Sequence, residues 1–121
     1  MAFKLYNAPQ STCSQRVRFV FNAKQLPFDE VKLNLLEGDQ LKPDYLKLNP
    51  NGVVPTLDHD GQIVIDSTVI TEYVDEIAPD NSFTPENPVE RARMRTLMHY
   101  IDEMPAAAVR VPTFNLAFLP S

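Results

Sequence analysis

Ser11-Thr12-Cys13-Ser14 place hydroxyls and the chain's one thiol between a short apolar run, residues 3–6, and a segment with helical periodicity. The N-terminus of a helix presents free N–H groups and the positive end of its dipole, so it stabilises an anion. A hydroxyl at that place can donate a hydrogen bond to a bound thiolate, which lowers the thiol's pKa and makes a nucleophile. Plain helix capping is the commoner job of such a Ser. Asp66-Ser67 stand at the start of a later helix. There the Ser67 hydroxyl, its N–H and the dipole suit a carboxylate, and Asp66 can pair with an ammonium group. Together they fit an amino-acid head group, or again a simple cap. Between these two sites lies Val53-Val54-Pro55. Proline inside an apparent strand belongs at a bulge, an edge or a cis bond. A cis Val54–Pro55 bond would turn Val54's backbone N–H and C=O sideways toward a peptide-like ligand, whereas a trans proline would simply mark an edge strand.

Cys13 is the single cysteine, so an intrachain disulfide, a Cys-rich zinc site and dithiol redox chemistry are excluded. A one-thiol redox role stays open, as does a small buried side chain. His59 and His99 follow no metal-ligand spacing and read as ordinary strand and helix residues. No metal is expected.

The elements that must position these residues follow from periodicity and turn chemistry. Residues 3–6 read as a strand and 13–24 as a helix capped by Ser11 or Thr12. Its stripe is Val17, Val20, Phe21 and Lys24, apolar except for its end. Residues 28–35 read as a second strand with Val31, Leu33 and Leu35 on one face, parallel to the first through a right-handed crossover. A short helix over 39–48, with Pro43 near its start, precedes the loop Asn49-Pro50-Asn51-Gly52. Residues 53–58 and 62–65 flank Asp60-Gly61, a hairpin signal. Asp66 or Ser67 then caps a helix with Val69, Ile70, Tyr73, Val74 and Ile77 on its apolar face, stopped by Pro79. After a polar linker, Asn87-Pro88-Val89-Glu90 starts another helix that should run to about Glu103 with Met94, Leu97, Met98 and Ile101 inward. Pro105 ends it, and the apolar tail from 106, with Phe114, Leu116, Phe118 and Leu119, reads as part of a larger helical layer or an interface. The fold class is therefore α/β, a thioredoxin-like βαβ-ββα mixed sheet with helices on both faces, followed by the start of an all-α domain.

Composition narrows the function. At 121 residues with 44% hydrophobic and 22% charged side chains, the chain can bury one core and has the balance of a globular protein. A net charge of −5 argues against sequence-independent nucleic-acid binding, while a local anion site remains compatible with it. No apolar run approaches the roughly 20 residues that cross a bilayer, and residues 1–5 lack a secretory signal, so the expectation is a cytoplasmic protein with no membrane partner.

These segments resemble the N-terminal domain of cytosolic glutathione transferases. Ser11-Thr12-Cys13-Ser14-Gln15-Arg16-Val17-Arg18 is similar to the Ser-Ser-Cys-Ser-Trp-Arg-Val-Arg signature of the zeta class, the maleylacetoacetate isomerase type. Asn49 to Leu57 resembles the family's Asn-Pro-x-x-x-Val-Pro-x-Leu segment, and Asp66 to Tyr73 its (Glu/Gln)-Ser-x-x-Ile-x-x-Tyr segment. Ser67 to Tyr73, Met94-Arg95 and Asp102-Glu103 also resemble bacterial β-aryl-ether-cleaving transferases. The resemblance implies glutathione as co-substrate, lying across the carboxyl ends of the strands. Ser11 would hydrogen-bond its sulfur, with Thr12, Cys13 or Ser14 as other partners. Val54, beside a cis Pro55, would pair with its cysteinyl residue, and Asp66 and Ser67 would hold the γ-glutamyl end. Gln40 falls where several classes keep a His on the glycine carboxylate. Val53 stands where many members have Gln or Lys, which removes a glycyl contact. The implied organisation is a glutathione-binding domain over 1–80, a linker over 81–88, and the first part of a helical domain over 89–121. The implied partners are a small hydrophobic electrophile and a second copy of the chain. The leading reading is a transferase that activates glutathione for conjugation, isomerisation or ether cleavage. The alternatives are a non-catalytic binding or assembly module, and a one-thiol reductase using Cys13.

Overall fold

The computed structural model describes residues 2–78 and 82–103. The chain divides into two compact units, the first ending at Ser82 and the second beginning at Phe83. In the first unit the elements are β1 (Phe3–Asn7), α1 (Thr12–Ala23), β2 (Asp29–Lys32), a 3-10 turn (Asp39–Leu41), α2 (Pro43–Leu48), β3 (Thr56–His59), β4 (Gln62–Ile65) and α3 (Ser67–Ile77). The strands form one mixed sheet in the order β2-β1-β3-β4. β1 and β2 are parallel, and β1–β3 and β3–β4 are antiparallel. The expected thioredoxin-like plan is present.

Alternation along β1 divides the sheet into two unlike faces. Phe3 and Leu5 point into the apolar core with Val17 and Phe21 of α1, Leu57 of β3, and Ile70 and Val74 of α3. Tyr6 points the other way, toward α2, where its ring meets Tyr45 edge-on at 6.1 Å. Helices thus cover both faces, α1 and α3 on one and the six-residue α2 on the other.

The boundaries differ from the sequence expectation where a local polar contact overrides periodicity. β2 ends at Lys32 rather than at residue 35, because Asn34 and Asp39 fold the chain back. The Asn34 N–H donates to Asp39 Oδ2 at 2.8 Å, and Asn34 Oδ1 accepts from Leu36 and Glu37. The single helix expected over 39–48 is broken at Lys42, whose ψ of 146° is extended. Proline at the next position disfavours the helical region there. β3 begins at Thr56 because residues 53–55 belong to the preceding loop. The hairpin turn follows expectation, with positive φ at Asp60 (51°) and Gly61 (90°). His59 lies in β3 with its ring stacked on Phe3 at 4.5 Å and Nδ1 2.5 Å from the Tyr73 hydroxyl.

One expected face needs correction. Val69 is half exposed on α3 and does not join the core. Lys24, the polar end of the α1 stripe, has a buried side chain. Its ammonium lies 2.5 Å from Asp75, with side chains 1% and 5% exposed, and also donates to the Ala78 carbonyl at 2.8 Å. The Asp75 carboxylate further accepts from Ser82 Oγ at 3.1 Å. The stripe was right about the face and silent about the partner.

The second unit contains α4, Pro88–Glu103, capped by Asn87, whose Oδ1 accepts from Val89 and Glu90 N–H at 2.9 and 3.2 Å. Leu97, expected inward, is exposed, and Met94 and Met98 are half-buried. The expectations for Pro79, the Ile101 side chain, Pro105 and the tail from 106 fall outside the described side chains and residues. No helix among the described residues is long and apolar enough to cross a membrane.

The Lys24–Asp75 pair generates a stability prediction. Removing one partner strands the other charge in the interior, so Asp75→Ala should cost about 3–5 kcal/mol in urea denaturation. Lys24→Met/Asp75→Leu together should cost less than Asp75→Ala alone.

Candidate active site

Strand register brings the scattered candidates to one end of the sheet. Val31, Tyr6, Thr56 and Ile65 form one row across β2, β1, β3 and β4. Just beyond that row, β1 leads to Ser11, β2 leads to the turn holding Gln40, β3 is entered from Val54-Pro55, and β4 leads to Asp66-Ser67. From β1 to β4 is two inter-strand steps, or about 10 Å.

Ser11 is the N-cap of α1. Its φ and ψ are −76° and 125°, and its Oγ accepts from the Ser14 N–H at 3.2 Å. This uses a lone pair only, so the O–H remains able to donate. Capping and thiolate stabilisation are therefore compatible duties of one hydroxyl. Thr12 is exposed and Cys13 half-buried in the first turn. Ser14 is fully buried, and its Oγ accepts from the Ala8 N–H at 3.3 Å. That side chain is enclosed and braces the loop.

Asp66 caps α3 from an unusual backbone conformation, φ 76°. Its Oδ1 accepts from the N–H groups of Thr68 at 2.9 Å and Val69 at 3.3 Å. Asp66 is exposed, and both of these bonds use the same oxygen. Ser67 follows at the first helical position, nearly enclosed at 7% exposure.

The Val54–Pro55 peptide bond is cis. Neither the N–H nor the C=O of Val54 has a hydrogen-bond partner among the described residues. Val53 is arranged oppositely. Its side chain is exposed while its carbonyl accepts from the Tyr45 hydroxyl at 2.5 Å and Asn49 Nδ2 at 3.2 Å. Gln40 Nε2 donates to the Leu35 carbonyl at 3.5 Å, and its Oε1 is buried without a partner. The nearby Lys42 is engaged with Asp39 at 2.6 Å. That hydrogen bond is the main reason the Asp39 carboxyl lies below, and the Lys42 ammonium above, its ordinary pKa. A groove of about 500 Å³ between the sheet and α2, lined by Tyr6, Val31, Leu33, Tyr45 and Leu48 among others, contains none of the candidates.

Sequence reasoning missed the residues that hold this geometry. Tyr45, Asn49 and Thr56 form a buried polar network beneath the Val53–Pro55 segment. The Tyr45 hydroxyl lies 2.7 Å from Thr56 Oγ1, Asn49 Nδ2 donates to that oxygen at 3.1 Å, and Asn49 Oδ1 accepts from the Asn51 N–H at 3.0 Å. Gly52 has a φ of +64°, and a Cβ there would meet Leu41 Cδ2 at 3.0 Å. The β1–α1 loop has its own clamps. Arg18 Nη1 donates to Asn7 Oδ1, and Arg18 Nη2 and Gln15 Nε2 each reach the Pro9 carbonyl at 3.2 Å. Asn49 opening a Gly-containing loop was the one local signal for the first network. The arginines carried none beyond their place in the motif.

Residues 5–82 match the family described as glutathione S-transferase, N-terminal domain. The chain is 36% identical over 118 residues to the maleylacetoacetate isomerase maiA of Aspergillus fumigatus, covering 88% of this chain and 51% of that protein. It is 42% identical over 82 residues to a zeta-class glutathione S-transferase of Euphorbia esula, covering 68% and 36%. Among solved structures it is similar to the beta-etherase LigF of Sphingobium, with a TM-score of 0.87, 33% identity, and 97% of this chain and 49% of that one covered. A Sulfitobacter glutathione transferase homologue with bound glutathione aligns with a TM-score of 0.79 and 34% identity, over 84% and 49%. The chain spans about half the length of these relatives or less.

Tyr45 gives a pH prediction. Burial is the largest influence on its phenol and raises the pKa above the ordinary 10.0, against hydrogen bonds with Thr56 and Asn49 that lower it. The native state holds the neutral form, so this contribution to stability is complete below pH 10.0 and is lost as pH rises through the native value. Tyr45→Phe should be about 1–2 kcal/mol less stable near neutrality, because the Val53 carbonyl and Thr56 lose a partner. In urea titrations wild type should lose stability above pH 10.0 more steeply than the variant, so the gap narrows.

Proposed function

The chain belongs to the glutathione S-transferase family through its N-terminal domain, and on that premise we propose that it binds glutathione at the end of the sheet described above and activates its thiol. Val54's unpartnered N–H and C=O carry the reading, lying between two capped helix starts on one row of strand ends. A peptide can complete both hydrogen bonds there as an added strand would. The sulfur lies at the start of α1, where the Ser11 O–H donates to the thiolate and the helix dipole adds to the stabilisation. The γ-glutamyl carboxylate lies at the start of α3 against Ser67 and its N–H, and its ammonium against Asp66. The roughly 10 Å between these strand ends is of the same order as an extended γ-glutamyl-cysteinyl unit. Gln40 serves the glycyl end once its amide turns from Leu35, and Val53 adds only apolar contact.

The thiolate then attacks an electrophilic carbon of a small hydrophobic substrate. Conjugation, isomerisation and ether cleavage share that step, and relatives carry names of the first two kinds and of a beta-etherase. The first compact unit is the glutathione-binding domain, and α4 belongs to a helical domain. A cytoplasmic homodimer with a detoxification role completes the reading. Family membership supports these last assignments.

Calorimetric titration with glutathione should give saturable heat, and a generic aryl halide should be turned over. Ser11→Ala should lower kcat by about 10²–10³-fold, the scale for losing one donor to a developing anion. Cys13→Ser should leave kcat within about threefold. The opposite pattern would assign the chemistry to Cys13 and a one-thiol reductase. Absence of both heat and turnover would leave a non-catalytic module.

A further inference from the structure

A ligand that reaches two helix starts requires them at a fixed separation. α1 and α3 pack through Val17, Phe21, Ile70 and Val74, an apolar contact that resists parting but has little directional preference. Polar bonds join the two helices at both ends. Lys24 meets Asp75 toward their C-termini. Toward their N-termini, Arg16 Nη2 donates to Thr68 Oγ1 at 3.1 Å.

The second bond reaches directly into the candidate site. Arg16 lies one turn beyond Ser11. Thr68 is 7% exposed, and its N–H donates to Asp66 Oδ1 at 2.9 Å. Its carbonyl accepts from Thr71 Oγ1 at 2.8 Å. The hydroxyl that Arg16 holds therefore belongs to the residue that anchors the Asp66 cap and follows Ser67. A hydrogen bond from a guanidinium is stronger and more directional than a neutral one.

We propose that the Arg16–Thr68 bond is a positioning element that sets the ligand length the site accepts. It fixes the axial offset between the helix start that receives the sulfur and the one that receives the γ-glutamyl head group. The inference rests on the glutathione reading and goes beyond it by assigning length discrimination to a pair of side chains that touch neither ligand end.

The test compares glutathione with β-aspartyl-cysteinyl-glycine, which is one methylene shorter at the head-group end, by calorimetry on the 121-residue chain. Wild type should prefer glutathione by about tenfold or more, the range for one methylene in a fitted site. Thr68→Val keeps the shape and removes the acceptor. It should lose about tenfold in glutathione affinity and much less for the shorter peptide, leaving discrimination within about threefold. Thr68→Ser should restore the preference. Arg16→Ala added to Thr68→Val should cause no further loss of discrimination. Should Thr68→Val fail to fold, Arg16→Met is judged by the same criterion. Retained discrimination in a folded variant overturns the inference while glutathione binding stands. A wild-type chain that binds neither peptide overturns the glutathione reading and this inference with it.

Discussion

A helix leaves its first amide groups without partners inside the helix, and this fold begins two helices at the same end of one sheet. Those unsatisfied donors are the constraint on which the rest of the site depends. Ser11 and Asp66 each answer part of it with a side-chain oxygen. Neither cap is exhausted by the duty. Ser11 accepts with a lone pair and keeps its O–H, and Asp66 places both accepted bonds on one carboxylate oxygen. Capping and the proposed ligand binding, which read as competing explanations along the chain, are compatible uses of the same atoms.

The two faces of the sheet solve different problems. The face under α1 and α3 is a conventional apolar core with the buried Lys24–Asp75 ion pair beside it. The other face, under the short α2, uses Tyr45, Asn49 and Thr56 to secure a loop that is otherwise neither strand nor helix. The loop passes through Val54, whose own N–H and C=O have no partner among the described residues. Buried polar networks are costly when incomplete, so this one fixes the loop only because its members satisfy one another. The Val53 carbonyl turned inward and the unpartnered Val54 groups are two consequences of that one arrangement.

Local signals account for what was legible in the sequence. Ser11 and Asn87-Pro88 announced helix starts, Asp60-Gly61 announced the hairpin, and the order of strands and helices followed with the expected topology. Some missed features depend on partners far along the chain, others on local polar contacts that compete with periodicity. The Lys24 charge reads only as the polar end of a stripe until Asp75 is folded beside it. Arg16 and Thr68 are 52 residues apart. β2 stopped early because an Asn–Asp turn competes with the ladder, and α3 exposes Val69 because an apolar stripe read from period alone is wider than the contact it makes. Candidate site residues were legible as types at element ends, whereas the network that positions them was not.

Net charge does not favour the proposed anion site. A chain of net charge −5 has no overall attraction for an anionic peptide. Cations near the proposed site are committed elsewhere in part. Lys42 pairs with Asp39, Arg18 braces Asn7 and Pro9, and Arg16 reaches Thr68. In the proposed site the anion-stabilising work then falls mainly on backbone N–H groups and helix dipoles, which act over the first turn and are directional. Such a site discriminates by where its donors point more than by how much charge it carries. On the proposed reading, arginines that hold helix starts in register act on recognition through geometry.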